Sequence, residues 1–291
     1  MRGKGTQVGS AARLRKFAQI GATAVEAEYG AITWVPFQSL TSFARPGMTN
    51  IGMIGSSMFP KLALLFSFLI ASSAIAQTSL AERCARGHGE DAITACSDVI
   101  GIGTGGAEIA WAYFDRARAY FDARLYASAI ADLTDALRLK PDDSEALENR
   151  GLAFLALDDF RHAIHDFNRV VDLKPASADG FRERCWARAA SGRDLDDALA
   201  DCNQALTLKP GDAAARDARC FVEYRTAAYA AAMTDCTAAL TANPKRASSL
   251  YLRGLARAKS GDAAGGAADI AAAQSLAPAI ADTYAGYGVK P

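Results

Sequence analysis

A proline returns along this chain at Pro141, Pro175, Pro210, Pro244 and Pro278, at intervals of 34, 35, 34 and 34 residues. A fixed period of that size constrains the fold more than any other feature. A unit so short cannot bury an apolar face alone and must stack on its neighbours. The same landmarks recur between the prolines. An Arg followed by a small residue stands at Arg116-Ala117, Arg150-Gly151, Arg184-Cys185, Arg219-Cys220 and Arg253-Gly254. A small residue comes next at Ala129, Ala163, Ala198, Ala232 and Gly266. An Asp then precedes an apolar or thiol side chain at Asp132-Leu133, Asp166-Phe167, Asp201-Cys202, Asp235-Cys236 and Asp269-Ile270. The register defines five units: 108–141, 142–175, 176–210, 211–244 and 245–278.

Each unit reads as a pair of helices. In the second, Asp142 with Glu145 forms the expected capping box, and Leu147, Gly151 and Phe154 share a helical face. The run Leu157-Asp158-Asp159 breaks the pattern, which resumes through Phe160, Ala163, Ile164, Phe167, Val170 and Val171 until Pro175 ends the second helix. Small residues at the two closest positions let the helices approach tightly.

The units resemble tetratricopeptide repeats over about 108–278. The resemblance implies an all-α, right-handed α-solenoid of about five helical hairpins, with the first helix of each lining a concave groove for a partner peptide or helix. Two units depart from the pattern. The third has one extra residue in its Ser191–Asp194 turn, and the fifth is rich in Ala and Gly from Ala263 to Ala268, as a terminal unit would be. Upstream, Ala92, Ile93 and Cys96 copy a second helix, so a shortened capping hairpin with its linker is expected over 77–106. A short capping helix is expected over Ala279–Tyr287, within a tail of 279–291.

All six cysteines lie beyond residue 76, at Cys84, Cys96, Cys185, Cys202, Cys220 and Cys236. Six cysteines allow 15 pairings. In an antiparallel helical hairpin, residues equidistant from the turn face each other, which selects Cys84–Cys96, Cys185–Cys202 and Cys220–Cys236. Buried free thiols are the alternative. Zinc is disfavoured because no close Cys-x-x-Cys is present.

Disulfides suit an exported chain, and the N-terminal part carries such a signal. Met58 to Lys61 forms a short basic start, Leu62 to Ile70 an apolar core, and Ala74-Ile75-Ala76 a small-x-small site with cleavage expected after Ala76. An uncleaved membrane anchor is the alternative. Residues 1–57 show no sustained period and are read as a disordered leader or an over-extended start. The expected location is periplasmic or secreted. Residues 1–76 hold seven Lys/Arg and two acids, leaving 25 basic and 30 acidic side chains in the remainder. That mildly acidic body gives no electrostatic reason to expect nucleic acid.

Two motifs have plainer readings than the chemistry they suggest. Gly101 to Gly106 fits G-x-G-x-x-G but follows a helix rather than a strand, so it is a linker. His162 and His165 beside Asp166 fall on the outward side of their helix and read as solvated. The Arg and Asp rows read as a ladder of structural ion pairs. No nucleophile, base and orienting group come together, so neither an enzyme nor a cofactor is expected. What remains is the concave face, mapped from the resemblance to Trp111, Phe114, Arg118, Phe121, Leu152, Trp186, Phe221, Tyr224 and Tyr251. It suits an apolar or amphipathic protein segment, and no specific small molecule, in a scaffold of the bacterial cell envelope. A self-associating structural protein and an accessory subunit of an envelope enzyme complex are the alternatives. These aromatics have a competing use, since Tyr284 and Tyr287 of the chain's own tail are available to cover them.

Overall fold

In a computed structural model the described residues are 80–103 and 106–289; the expected signal segment and leader lie outside them. The described residues up to Arg116 and those from Ala117 form two compact units. In the first, α1 covers 80–86 and α2 covers Gly89–Ile102, and the disulfide Cys84–Cys96 joins them. Both sulfurs are fully buried in a small core with Ala95, Val99 and Ala112, against which Trp111 packs. This is the expected shortened hairpin.

The repeats run through α3 (Ala110–Asp122), α4 (Tyr126–Leu139), α5 (Ser144–Ala156), α6 (Phe160–Leu173), α7 (Ala178–Ser191) and α8 (Leu195–Leu208). They continue through α9 (Ala213–Arg225), α10 (Tyr229–Ala242), α11 (Ala247–Lys259) and α12 (Ala263–Leu276), and α13 (Ile280–Gly286) closes the series. Within the second unit each helix from α4 to α12 packs on the next, and the first helices α5, α7, α9 and α11 also meet in succession. This is an α-solenoid, and no strand occurs among the described residues.

The hairpin turns share one device. Arg124, Asp158, Ala227 and Gly261 each take a left-handed conformation two residues before the second helix begins. The third repeat absorbs its extra residue differently: α7 runs to Ser191, Gly192 caps it at φ 70°, and Asp194 is left-handed at φ 51°. Two residues past Pro141, Pro175 and Pro210 a side chain caps the following helix. Asp143, Ser177 and Asp212 accept backbone N–H groups of α5, α7 and α9. The cap of α5 is therefore Asp143 and not the expected Asp142, which instead accepts from Arg169 at 2.6 Å. Asp143 wins because its carboxylate reaches both Glu145 N–H and Ala146 N–H from the cap position.

The slot between paired helices is filled in two ways. Gly151 faces the Phe167 ring so closely that a Cβ there would lie 2.7 Å from ring carbon Cε1. Gly254 faces Ile270 in the same way. At the equivalent positions of the third and fourth repeats, Cys185–Cys202 and Cys220–Cys236 are bonded, each with Cα atoms 5.5 Å apart. A glycine against a large side chain and a pair of bonded thiols thus solve one packing problem, which is why the cysteines occupy those landmarks.

The Arg and Asp rows form the expected ladder. Arg150, Arg184, Arg219 and Arg253 each donate through two nitrogens to Asp166, Asp201, Asp235 and Asp269 on the partner helix. Their remaining Nη1 reaches back to the preceding repeat, at Thr134, Asn168, Asn203 and Thr237. One guanidinium therefore ties its own hairpin and sets the register of the next.

Candidate functional site

The first helices set the candidate site, because their side chains between repeats are not consumed by hairpin packing. Residues of α5, α7 and α9, together with Arg246 before α11 and Tyr287 of the tail, line a pocket of about 410 Å³. Trp186 and Leu155 are half-buried in its wall, and Ala156 is exposed at its edge.

The charged residues there are unevenly committed. Arg182 donates to Asp179, to Glu183 at 2.6 Å and to Asp212 at 3.1 Å, so it ties the third repeat to the cap of the fourth. Burial works against its charge, and Glu183, Asp179 and Asp212 together outweigh that effect, raising its pKa. Asp217 is almost enclosed. It accepts from Ser248 at 2.7 Å and from Ser249, with Arg246 Nη1 3.7 Å away. Burial pushes its carboxyl above the ordinary range, and the two serines and Arg246 oppose the shift.

Arg246 breaks the rule of the repeat. It stands at the cap position where Asp143, Ser177 and Asp212 satisfy their helices, and it makes no side-chain cap. A cation there opposes the helix dipole. Its Nε is buried without a partner. A local rule broken at the wall of a pocket is what a binding site looks like. Nothing in the periodic reading singled out Arg246; its departure from the cap consensus was the available signal.

The aromatic residues expected as the groove floor are divided by the chain's own C-terminal segment. Phe221 is fully buried and Tyr251 is 2% exposed. Tyr284 of α13 lies 5.1 Å from Phe221 and 5.4 Å from Tyr251, ring centre to ring centre. Tyr287 reaches Trp186 at 5.6 Å and Phe160 at 5.8 Å. Arg225 donates to the carbonyls of Tyr287 and Ala189, holding this segment against the repeats. Phe221, Tyr224 and Tyr251 are therefore covered rather than open, with Tyr224 against Tyr229. Burial first, and then neighbouring Asp217, keep the Tyr284 phenol protonated.

Of the other expected residues, Leu152 packs beside Phe167 and Ala187, and Phe121 meets Tyr126 edge-on across its turn. Trp111 belongs to the N-terminal core, Phe114 is half-buried and Arg118 is exposed. Of the expected aromatic floor Trp186 lines the pocket, and Leu155, Arg182 and Asp217, which map to the same face of their helices, line it too. His162 pairs with Asp159 and stacks on Phe154, while His165 is 74% exposed. No group of three or more metal-ligating side chains occurs among the described residues.

The model of the tetratricopeptide repeat matches residues 114–178 and 153–213. Residues 114–213 are tetratricopeptide repeats. Solved structures of similar fold include a MamA fragment from Desulfovibrio magneticus RS-1, with TM-score 0.51 and 17% identity, covering 62% of this chain and 98% of that one. The type IV pilus biogenesis factor PilW gives TM-score 0.53 at 18% identity, covering 60% and 81%. A tetratricopeptide-repeat protein from Parabacteroides merdae gives TM-score 0.53 at 20% identity, covering 68% and 76%. These likenesses concern the fold. Serine/threonine-protein phosphatase 5 of Rattus norvegicus is 30% identical over 97 residues, which is 33% of this chain and 19% of the phosphatase. The chain thus spans about a fifth of that relative's length, and the repeat is what the two share.

Proposed function

We propose that this chain is a protein-binding scaffold of the cell envelope, working outside the cytoplasm and receiving a partner segment at the concave pocket of α5, α7 and α9. The observation that carries the reading is Arg246, a half-buried arginine at a helix cap whose buried Nε has no partner, beside half-buried Trp186 in a pocket of about 410 Å³. An apolar side chain of the segment fits against Trp186, and a carbonyl or carboxylate satisfies Arg246. Three buried disulfides support an oxidising compartment. Among the described residues no helix is long and apolar enough to cross a membrane.

Affinity capture from the extracytoplasmic fraction tests the reading. The intact chain should recover a reproducible partner, and the Trp186→Ala, Arg246→Ala variant should lose it with helix content unchanged. Equal recovery by both chains would place binding elsewhere.

A further inference from the structure

We infer that the segment from Ile280 to Val289 is a built-in occupant of the groove, and that the partner taken in its place is a short amphipathic helix carrying two aromatic residues three positions apart. The inference rests on the reading of the concave face as a docking surface and names what that surface accepts.

Rings from four helices converge on this segment. Phe160 begins α6, Trp186 lies on α7, Phe221 on α9 and Tyr251 on α11, and Tyr284 and Tyr287 touch all of them. Tyr284 is 4% exposed and Val289 3%. The helix α13 has seven residues, too few to persist alone in water, so the groove holds it in shape. Its fold is therefore a consequence of docking. The segment joins the last repeat through Ala277, Pro278 and Ala279, a tether short enough to keep it at its site. Without it, the four rings and the pocket that Tyr287 walls on one side would form one open aromatic trench.

The docked segment also shows what the trench prefers. One ring fits between Phe221 and Tyr251, a second ring one helical turn on meets Trp186 and Phe160, and Arg225 takes the carbonyl of that second residue. A free segment of the same chemistry has to compete with a tethered one whose effective concentration is in the millimolar range, so the intact chain should bind it about 10-fold or more weakly than a chain lacking the tether.

The test is fluorescence anisotropy with a labelled peptide of sequence 279–291, titrated with the intact chain and with a chain ending at Ala279. The shortened chain should bind the peptide at least about 10-fold more tightly than the intact chain. The peptide with Tyr284→Ala and Tyr287→Ala should not bind either. A folded shortened chain that treats both peptides alike, or an intact chain that binds as tightly as the shortened one, would overturn the inference. Full-length Tyr287→Ala, which loosens only the outer half of the segment, guards against loss of folding. It should bind the labelled peptide several-fold more tightly than wild type, and equal binding would likewise overturn the inference. Partner capture separates this result from the scaffold reading. Equal capture by intact and shortened chains keeps the scaffold and removes the latch. Tyrosine-dependent peptide binding without partner capture keeps the latch and removes the scaffold.

Discussion

Gly151 shows how much one side chain decides in this fold. Its Cα stands where α5 comes closest to α6, and the Phe167 ring fills the space a Cβ would need. Gly151→Leu should force the helices apart at a cost of about 3 kcal/mol, read as a lowered midpoint in urea. A midpoint unchanged from wild type would contradict the packing described. Glu223 makes a different kind of contribution. It is 13% exposed, its Oε2 lacks a partner, and Arg219 Nε is 3.9 Å from its other oxygen. Burial, then the neighbouring Asp235 charge, lift its pKa from 4.5 to about 7, and Arg219 only partly offsets this. The folded chain therefore holds a proton that the unfolded chain releases above its own pKa. The stability linked to that proton is full below about pH 4.5 and is lost as pH rises to about 7. Glu223→Gln should flatten that slope and raise stability at pH 8 by an amount on the order of 2 kcal/mol. Thermal melts at pH 4 and pH 8 measure it, and an unchanged slope would refute the assignment.

At the scale of the hairpin, the disulfides and the ion-pair ladder repeat one geometry. Non-reducing peptide mapping should recover Cys84–Cys96, Cys185–Cys202 and Cys220–Cys236, and a bond between units such as Cys202–Cys220 would contradict the hairpin register. Reduction should cost about 3 kcal/mol per bond for loops of this length. Since Gly151 and Phe167 occupy the positions of Cys185 and Cys202, the double change Gly151→Cys, Phe167→Cys should form a further bond on oxidation. Failure to form it would mean that the two slots differ in shape. These elements were legible in the sequence because each landmark recurs at a fixed interval and pairs within 16 or 17 residues. The cap at Asp143 was misplaced by one residue because two aspartates stand side by side and only geometry decides between them. The covering of Phe221 and Tyr251 was visible only as an available pair of tyrosines. A contact across 63 residues, from Phe221 to Tyr284, has no second copy in the chain to reveal it. Arg246 was missed because a periodic reading looks for what recurs, whereas its significance lies in not conforming.

At the scale of the whole molecule, the repeats build a surface that their own packing leaves unfilled. The buried rungs from Arg150 to Asp269 fix the register of successive hairpins, and the first helices are left to present Trp186, Arg246 and the small residues between them. The claim that this face receives a partner is tested most directly by photo-cross-linking in living cells. A photoreactive residue at Ala156 or Ala214, both lining the pocket, should yield discrete adducts with another protein. One at His165, which points away and is 74% exposed, should yield none. Adducts at His165 with none at Ala156 or Ala214 would contradict binding at the concave face.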